Sequence, residues 1–267
     1  MKYKLFISDY DGTLGEAPKN DVDKETLSAI NAFIDKGGVF CVCSGREYRS
    51  ISKICREQGL KGLVVSFQGA CVHDLESGKC LLDGGLDKST VIKLIDEVRY
   101  TGLSPVIYTV DGFYIEENNP YTDYYERAVG MKGIVMPAKE AVEKAGKSCK
   151  VGWLGNDQVV TETAKRLNEK YKGAGVKFNS GAKSLLEAIN PEYSKGKAVR
   201  FLANYYNIPL EQVIAVGDST NDIDLITGEW HGVAVGDGKQ ELKAVAKEIT
   251  LPFKEKPIKH LIEKYCL

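Results

Sequence analysis

The sequence predicts an α/β fold: a Rossmann-like parallel-sheet core into which a smaller α+β cap domain is inserted. Three observations carry this. Short apolar, β-prone runs alternate with amphipathic segments at both ends of the chain, as a parallel sheet requires. The middle third breaks that alternation with hairpin-type patterning. At 267 residues, 43% of them apolar, the chain can bury two modest cores.

Tyr3 to Ser8 reads as a buried strand, and Asp23 to Lys36 as a helix with Leu27, Ile30, Ala32, Phe33 and Ile34 largely on one stripe. Gly37-Gly38 stops it. Val39 to Cys43 is a second strand, a helix follows Ser44-Gly45-Arg46 to about Glu57, and Leu63 to Phe67 is a third strand. After Gly84 a helix from Lys88 to Tyr100 leads into Ser104 to Glu116, whose Val110-Asp111-Gly112-Phe113 centre reads as a hairpin turn. A helix near Tyr121 to Val129, a strand near Ser148 to Leu154, a helix from Gln158 to Tyr171 and strands around Val176 and Leu185 complete this unit. Alternation resumes with a helix from Lys195 to Tyr206, the strand Val213 to Val216, a helix after Asn221, the strand Gly232 to Val235, and helices near Gln240 and Ile258. The expected division is 1–83 and 189–267 for the core and 84–188 for the insertion.

Lysine and arginine total 36 against 37 acidic residues, so no basic field gathers nucleic acid or an anionic membrane. Any anion must be held by a local site. Met1 to Ile7, interrupted by Lys2 and Lys4, lacks the core of a secretory signal, and no stretch approaches a bilayer-spanning length. A cytoplasmic setting is the expectation. The seven cysteines include no Cys-x-x-Cys and read as reduced, mostly buried thiols.

Parallel sheets bind ligands beyond the carboxyl ends of their strands, so chemistry is sought there. Asp9-Tyr10-Asp11-Gly12-Thr13-Leu14 places two carboxylates after the first strand, a repulsive pair unless a cation or shared proton relieves it. An Asx-type turn explains the motif taken alone. Gly217-Asp218-Ser219-Thr220-Asn221-Asp222 follows another strand and sets Asp218 and Asp222 four apart; a helix N-cap is the plain alternative. Together these carboxylates form the oxygen-only environment expected for Mg²⁺. Ser44-Gly45-Arg46 and Ser194-Lys195-Gly196-Lys197 both open helices, offering N–H groups and positive charge to an anion, although a serine cap explains either alone. The Gly232 to Gly238 stretch lacks dinucleotide-binding spacing.

In this order the four segments resemble the haloacid dehalogenase-type phosphatases, and almost the whole chain is similar to their Cof-type branch. Ser66-Phe67-Gln68-Gly69-Ala70 is similar to a family Asn-Gly-Ala segment, and Val233 to Gly238 to a Val-Gly-Asn-Ala run. Gln68 in place of Asn, Asp237-Gly238 in place of Asn-Ala, and Lys254-Glu255-Lys256-Pro257 near the end depart from the pattern.

The resemblance implies a two-step phosphoryl transfer in which Asp9 is the nucleophile and Asp11 the general acid and base, with Lys195 completing the catalytic set. It implies Mg²⁺ held by Asp9, the Asp11 main-chain carbonyl, Asp218 and, directly or one layer out, Asp222. Ser44, Gly45, Lys195 and Asn221 would cradle the phosphoryl oxygens. The expected substrate is a small phosphorylated metabolite, with sugar phosphates leading; Tyr108, Tyr114, Tyr121, Tyr124, Tyr125, Lys150 and Trp153 are candidates to close over it. A phosphotransferase or phosphomutase, or a phosphate-binding protein without turnover, are the alternatives.

Overall fold

The computed structural model describes residues 1–267 except 17, 18, 20, 110, 111, 146, 149 and 183, and the side chains of all but these and 145, 147, 148, 181 and 182. The chain divides into two compact units, one of residues 1–46, 51–82 and 193–267, the other of 47–50 and 83–192.

The first unit opens with β1 (Leu5–Ser8), α1 (Lys24–Asp35), β2 (Val39–Cys43), α2 (Tyr48–Glu57), β3 (Leu63–Ser66), β4 (Cys71–Asp74) and β5 (Cys80–Asp83). Helix α1 starts where the Asp23 carboxylate accepts from the amides of Glu25 and Thr26 at 3.1 and 3.0 Å. It buries Ala29, Ile30 and Phe33 on one stripe.

The second unit holds β6 (Leu86–Asp87), α3 (Lys88–Val98), β7 (Ser104–Thr109), β8 (Gly112–Ile115), α4 (Pro120–Val129), β9 (Ile134–Val135), α5 (Ala138–Ala145), β10 (Lys147–Ser148), β11 (Lys150–Leu154), α6 (Asp157–Lys170), β12 (Lys177–Ala182) and β13 (Leu185–Ile189). Its main sheet runs β12-β13-β11-β7-β8-β9. Antiparallel pairing such as Tyr108 with Phe113 matches the hairpin expectation, but the expected turn residues Val110 and Asp111 lie outside the described residues. The alternation puts Ile107, Tyr114, Val151, Trp153, Leu186 and Ala188 into one core with Val91, Leu94 and Leu167 from α3 and α6. Tyr114 and Trp153 therefore serve packing.

The first unit resumes with α7 (Lys195–Tyr205), β14 (Val213–Gly217), α8 (Ile223–Ile226), β15 (His231–Ala234), α9 (Gln240–Lys243), β16 (Glu248–Ile249) and α10 (Pro257–Tyr265). Its sheet runs β16-β15-β14-β1-β2-β3-β4-β5. From β16 to β3 all pairings are parallel, and β4 turns back antiparallel on β3. Strands β1 and β14 lie side by side, Leu5 against Val213 and Ser8 against Val216, so the segments that follow them emerge at the same edge. Among the described residues no helix is long and apolar enough to cross a membrane.

Candidate active site

The loop after β1 is built around one carbonyl. The amides of Thr13, Leu14 and Gly15 all donate to the Tyr10 oxygen, at 3.2, 3.0 and 2.9 Å, which folds Asp9 and Asp11 to different surroundings. Asp9 is buried, its amide tied to Val216 of β14 at 2.9 Å. Gly12, at φ +78°, passes so near Asp218 that no side chain fits there.

After β14 the turn is organised by Asp222. One carboxylate oxygen accepts from the amides of Asp218 and Ser219, at 3.2 and 3.1 Å; the other lies 2.5 Å from Lys195 Nζ. Lys195 Nζ is also 2.5 Å from Asp9 Oδ1. Thr13 donates to Asp218 Oδ1 at 3.1 Å, joining the two loops. Burial drives the Asp9 carboxyl well above the ordinary range against the pull of Lys195, with Asp222 adding to the rise. Burial likewise pushes Asp218 up to about 6, helped by Asp222. For Lys195 burial pulls the other way, but Asp9 and Asp222 together outweigh it and hold the ammonium charged.

Asp9, Asp218 and Asp222 each offer an oxygen, and these lie within 4.8 Å of one another. Fully ionised, three carboxylates against one ammonium would leave two negative charges in a mostly buried site. A hard divalent cation matches that donor set and that charge, and would reverse the upward drive on Asp9 and Asp218.

The other predicted residues sit around this group. Ser44 is buried after β2; its Oγ accepts from the Arg46 amide at 3.1 Å, leaving its hydroxyl hydrogen to be donated elsewhere. Asn221 gives its side-chain amide to Gln68 Oε1 at 3.3 Å. A side chain on Gly45 would come 2.4 Å from Gln68 Nε2, so Gln68 links these two predicted contacts. Asp11 stands apart from the carboxylate trio, half-exposed and paired with Arg46.

Sequence reasoning assigned no role to Gln68, Thr13 or the Arg46 side chain. The structure shows why Gln68 matters: Phe67, Gln68 and Gly69 have φ of 51°, 59° and 99°, a left-handed run rare for side-chain-bearing residues. It is held by Phe67 N to Arg46 O at 2.8 Å and Gln68 N to Ser44 O at 3.2 Å. Gly69 then touches the Ser194 main chain, where a Cβ would lie 2.1 Å from the carbonyl. The glycine after an apolar strand was the available signal.

A family model described as haloacid dehalogenase-like hydrolase matches residues 6–262. The chain belongs to that family. It is 25% identical over 283 residues to the phosphatase YwpJ of Bacillus subtilis, covering 97% of this chain and 99% of that one. It is 24% identical over 280 residues to the 5-amino-6-(5-phospho-D-ribitylamino)uracil phosphatase YitU of the same organism, covering 98% and 97%. Among solved structures, a Thermotoga maritima protein superposes with a TM-score of 0.88 at 21% identity, over 98% of this chain and 97% of that one, which shows the shared fold. This haloacid dehalogenase-like hydrolase is a phosphatase.

Proposed function

We propose that the chain is a Mg²⁺-dependent phosphatase that cleaves phosphomonoesters of small metabolites, sugar or polyol phosphates foremost, through a phosphorylated Asp9. The observation that carries it is the buried Asp9 carboxylate held 2.5 Å from Lys195 beside Asp218 and Asp222. The ribityl phosphate in the substrate name of YitU supports the substrate class.

Asp9, Asp218, Asp222 and the Asp11 main-chain oxygen would hold Mg²⁺, which when bound neutralises charge on the phosphoryl oxygens. Lys195 spends two of its three N–H donors on Asp9 and Asp222 and has one left for a phosphoryl oxygen. Ser44 Oγ–H, the Gly45 amide and the Asn221 side chain supply further donors. The Asp9 oxygen bonds to phosphorus as the ester P–O bond breaks, and Asp11 passes a proton to the departing alkoxide, giving the alcohol. Asp11, now a carboxylate, takes a proton from the water that attacks the phosphoaspartate. Free phosphate leaves and both groups return to their starting forms. Charge placement around the phosphoryl group supports both covalent steps.

The test is phosphate release from a panel of sugar phosphates, polyol phosphates and nucleotides, with and without Mg²⁺, for the intact chain and Asp9→Asn. Metal-dependent release abolished by Asp9→Asn is the expected result. Release that survives that substitution overturns the nucleophile assignment, and release indifferent to chelation overturns the metal.

A further inference from the structure

The Arg46 guanidinium grips Asp11 with two parallel hydrogen bonds. Nε lies 2.8 Å from Oδ2 and Nη2 lies 2.5 Å from Oδ1, so each carboxylate oxygen receives an N–H. The guanidinium carbon sits 5.2 Å from the centre of the Tyr10 ring, which is itself fully buried. The Arg46 backbone is fixed on both sides, its amide to Ser44 Oγ and its carbonyl to the Phe67 amide. Its side chain is thereby planted at the start of the anion-binding segment, but pointed at a carboxylate.

That pairing conflicts with the role given to Asp11. An oxygen already accepting a guanidinium N–H in this two-pronged grip is poorly placed to serve a leaving oxygen or a water. The grip is also weakly secured. The two side chains are 21% and 47% exposed, and ion pairs so open to water contribute little. A phosphate dianion, with more charge and three oxygens, is a better partner for the same fork.

We infer that Arg46 exchanges partners: in the resting protein it clamps Asp11, and the phosphoryl group of the substrate draws it away and leaves both Asp11 oxygens open to the leaving group and the water. The Tyr10 ring gives the guanidinium a contact that does not depend on Asp11. The inference rests on the phosphatase reading above and adds to it a substrate-triggered release of the acid.

Exchange makes Asp11 and phosphate competitors for one guanidinium, which a double-mutant cycle isolates. Binding of inorganic phosphate to the full-length, Mg²⁺-loaded protein is measured by calorimetry for the intact chain, Asp11→Asn, Arg46→Ala and the double variant. Asp11→Asn is expected to tighten phosphate binding about fivefold while Arg46 is present, the scale of one exposed ion pair, and to give almost no gain beside Arg46→Ala. Arg46→Gln, closer in length, replaces Arg46→Ala if the latter folds poorly by its melting temperature. An equal gain in both backgrounds would mean simple charge repulsion by Asp11 and overturns the exchange alone. No phosphate binding and no ester cleavage by the intact chain overturns the phosphatase reading itself.

Discussion

Gly12 and Asp218 are in such close approach that a methyl group on the Gly12 Cα would lie 2.7 Å from Asp218 Oδ2. Absence of a side chain at one loop thus sets the position of a carboxylate on another. Gly12→Ala adds two separable penalties. The φ of +78° costs an alanine about 1–2 kcal/mol. Displacing Asp218 is expected to lower Mg²⁺ affinity about 10- to 100-fold if Asp218 is a ligand, the scale seen when support of a ligand is lost. Denaturant unfolding and calorimetric Mg²⁺ titration read the two effects apart; unchanged Mg²⁺ affinity would count against Asp218 as a ligand.

Lys195 is the one cation touching both buried carboxylates among the described residues. Lys195→Met keeps the volume and removes the charge. In chelator, the variant is expected to lose about 3–5 kcal/mol, because two buried acids are left uncompensated. Urea midpoints measure this, and saturating Mg²⁺ should restore part of the loss. A destabilisation below about 1 kcal/mol would show that removing the ammonium leaves no uncompensated charge, whether through solvation or because Asp9 takes up a proton.

The raised Asp218 carboxyl predicts a pH signature. Its folded value of about 6 lies above the ordinary 3.8, so between those values the folded state binds more protons than the unfolded one. Stability in chelator must therefore fall as pH rises through that window, and level off above it. The contrast is with Asp218→Asn, which cannot titrate: the melting temperature of the intact protein should drop relative to the variant from pH 4 to 6. Mg²⁺ binding displaces the proton, so Mg²⁺ affinity should rise over the same range. A flat difference would rule out the elevated value.

Gln68 provides a test of the strained turn. At φ 59° asparagine is tolerated and a β-branched residue is not. Gln68→Val is expected to be less stable than Gln68→Asn by about 1–2 kcal/mol or more, by chemical denaturation. Both shorten the reach to Asn221, so both should raise KM more than they lower kcat. Equal stabilities would show that the turn relaxes.

Strands β1, β2, β3 and β14 were legible because a buried parallel strand is a continuous apolar run, and the carboxylates were legible because each directly follows such a run. Other features left no such mark. Strand β5 is exposed or half-buried along its length, so neither period nor hydrophobicity betrays it. Helix α5 and the two-residue strands β6, β9, β10 and β16 are too short or too polar to stand out. The Arg46 to Asp11 grip joins residues 35 apart through side chains alone. Nothing in spacing encodes which of several nearby anions an arginine selects. The left-handed Phe67-Gln68 pair is marked only by the glycine that follows it, since neither residue type favours that conformation.

Strand β1 leaves the ribosome long before one of its two neighbours, β14, which begins at Val213. For most of its synthesis the apolar run Leu5 to Ser8 has no partner on that side, while the contiguous stretch 83–192 can close its own core. Asp9 thus gains its full surroundings late, although it is made long before the turn that follows β14. A chain cut short before β14 carries Asp9 without Asp218 and Asp222, the two carboxylates that complete the trio.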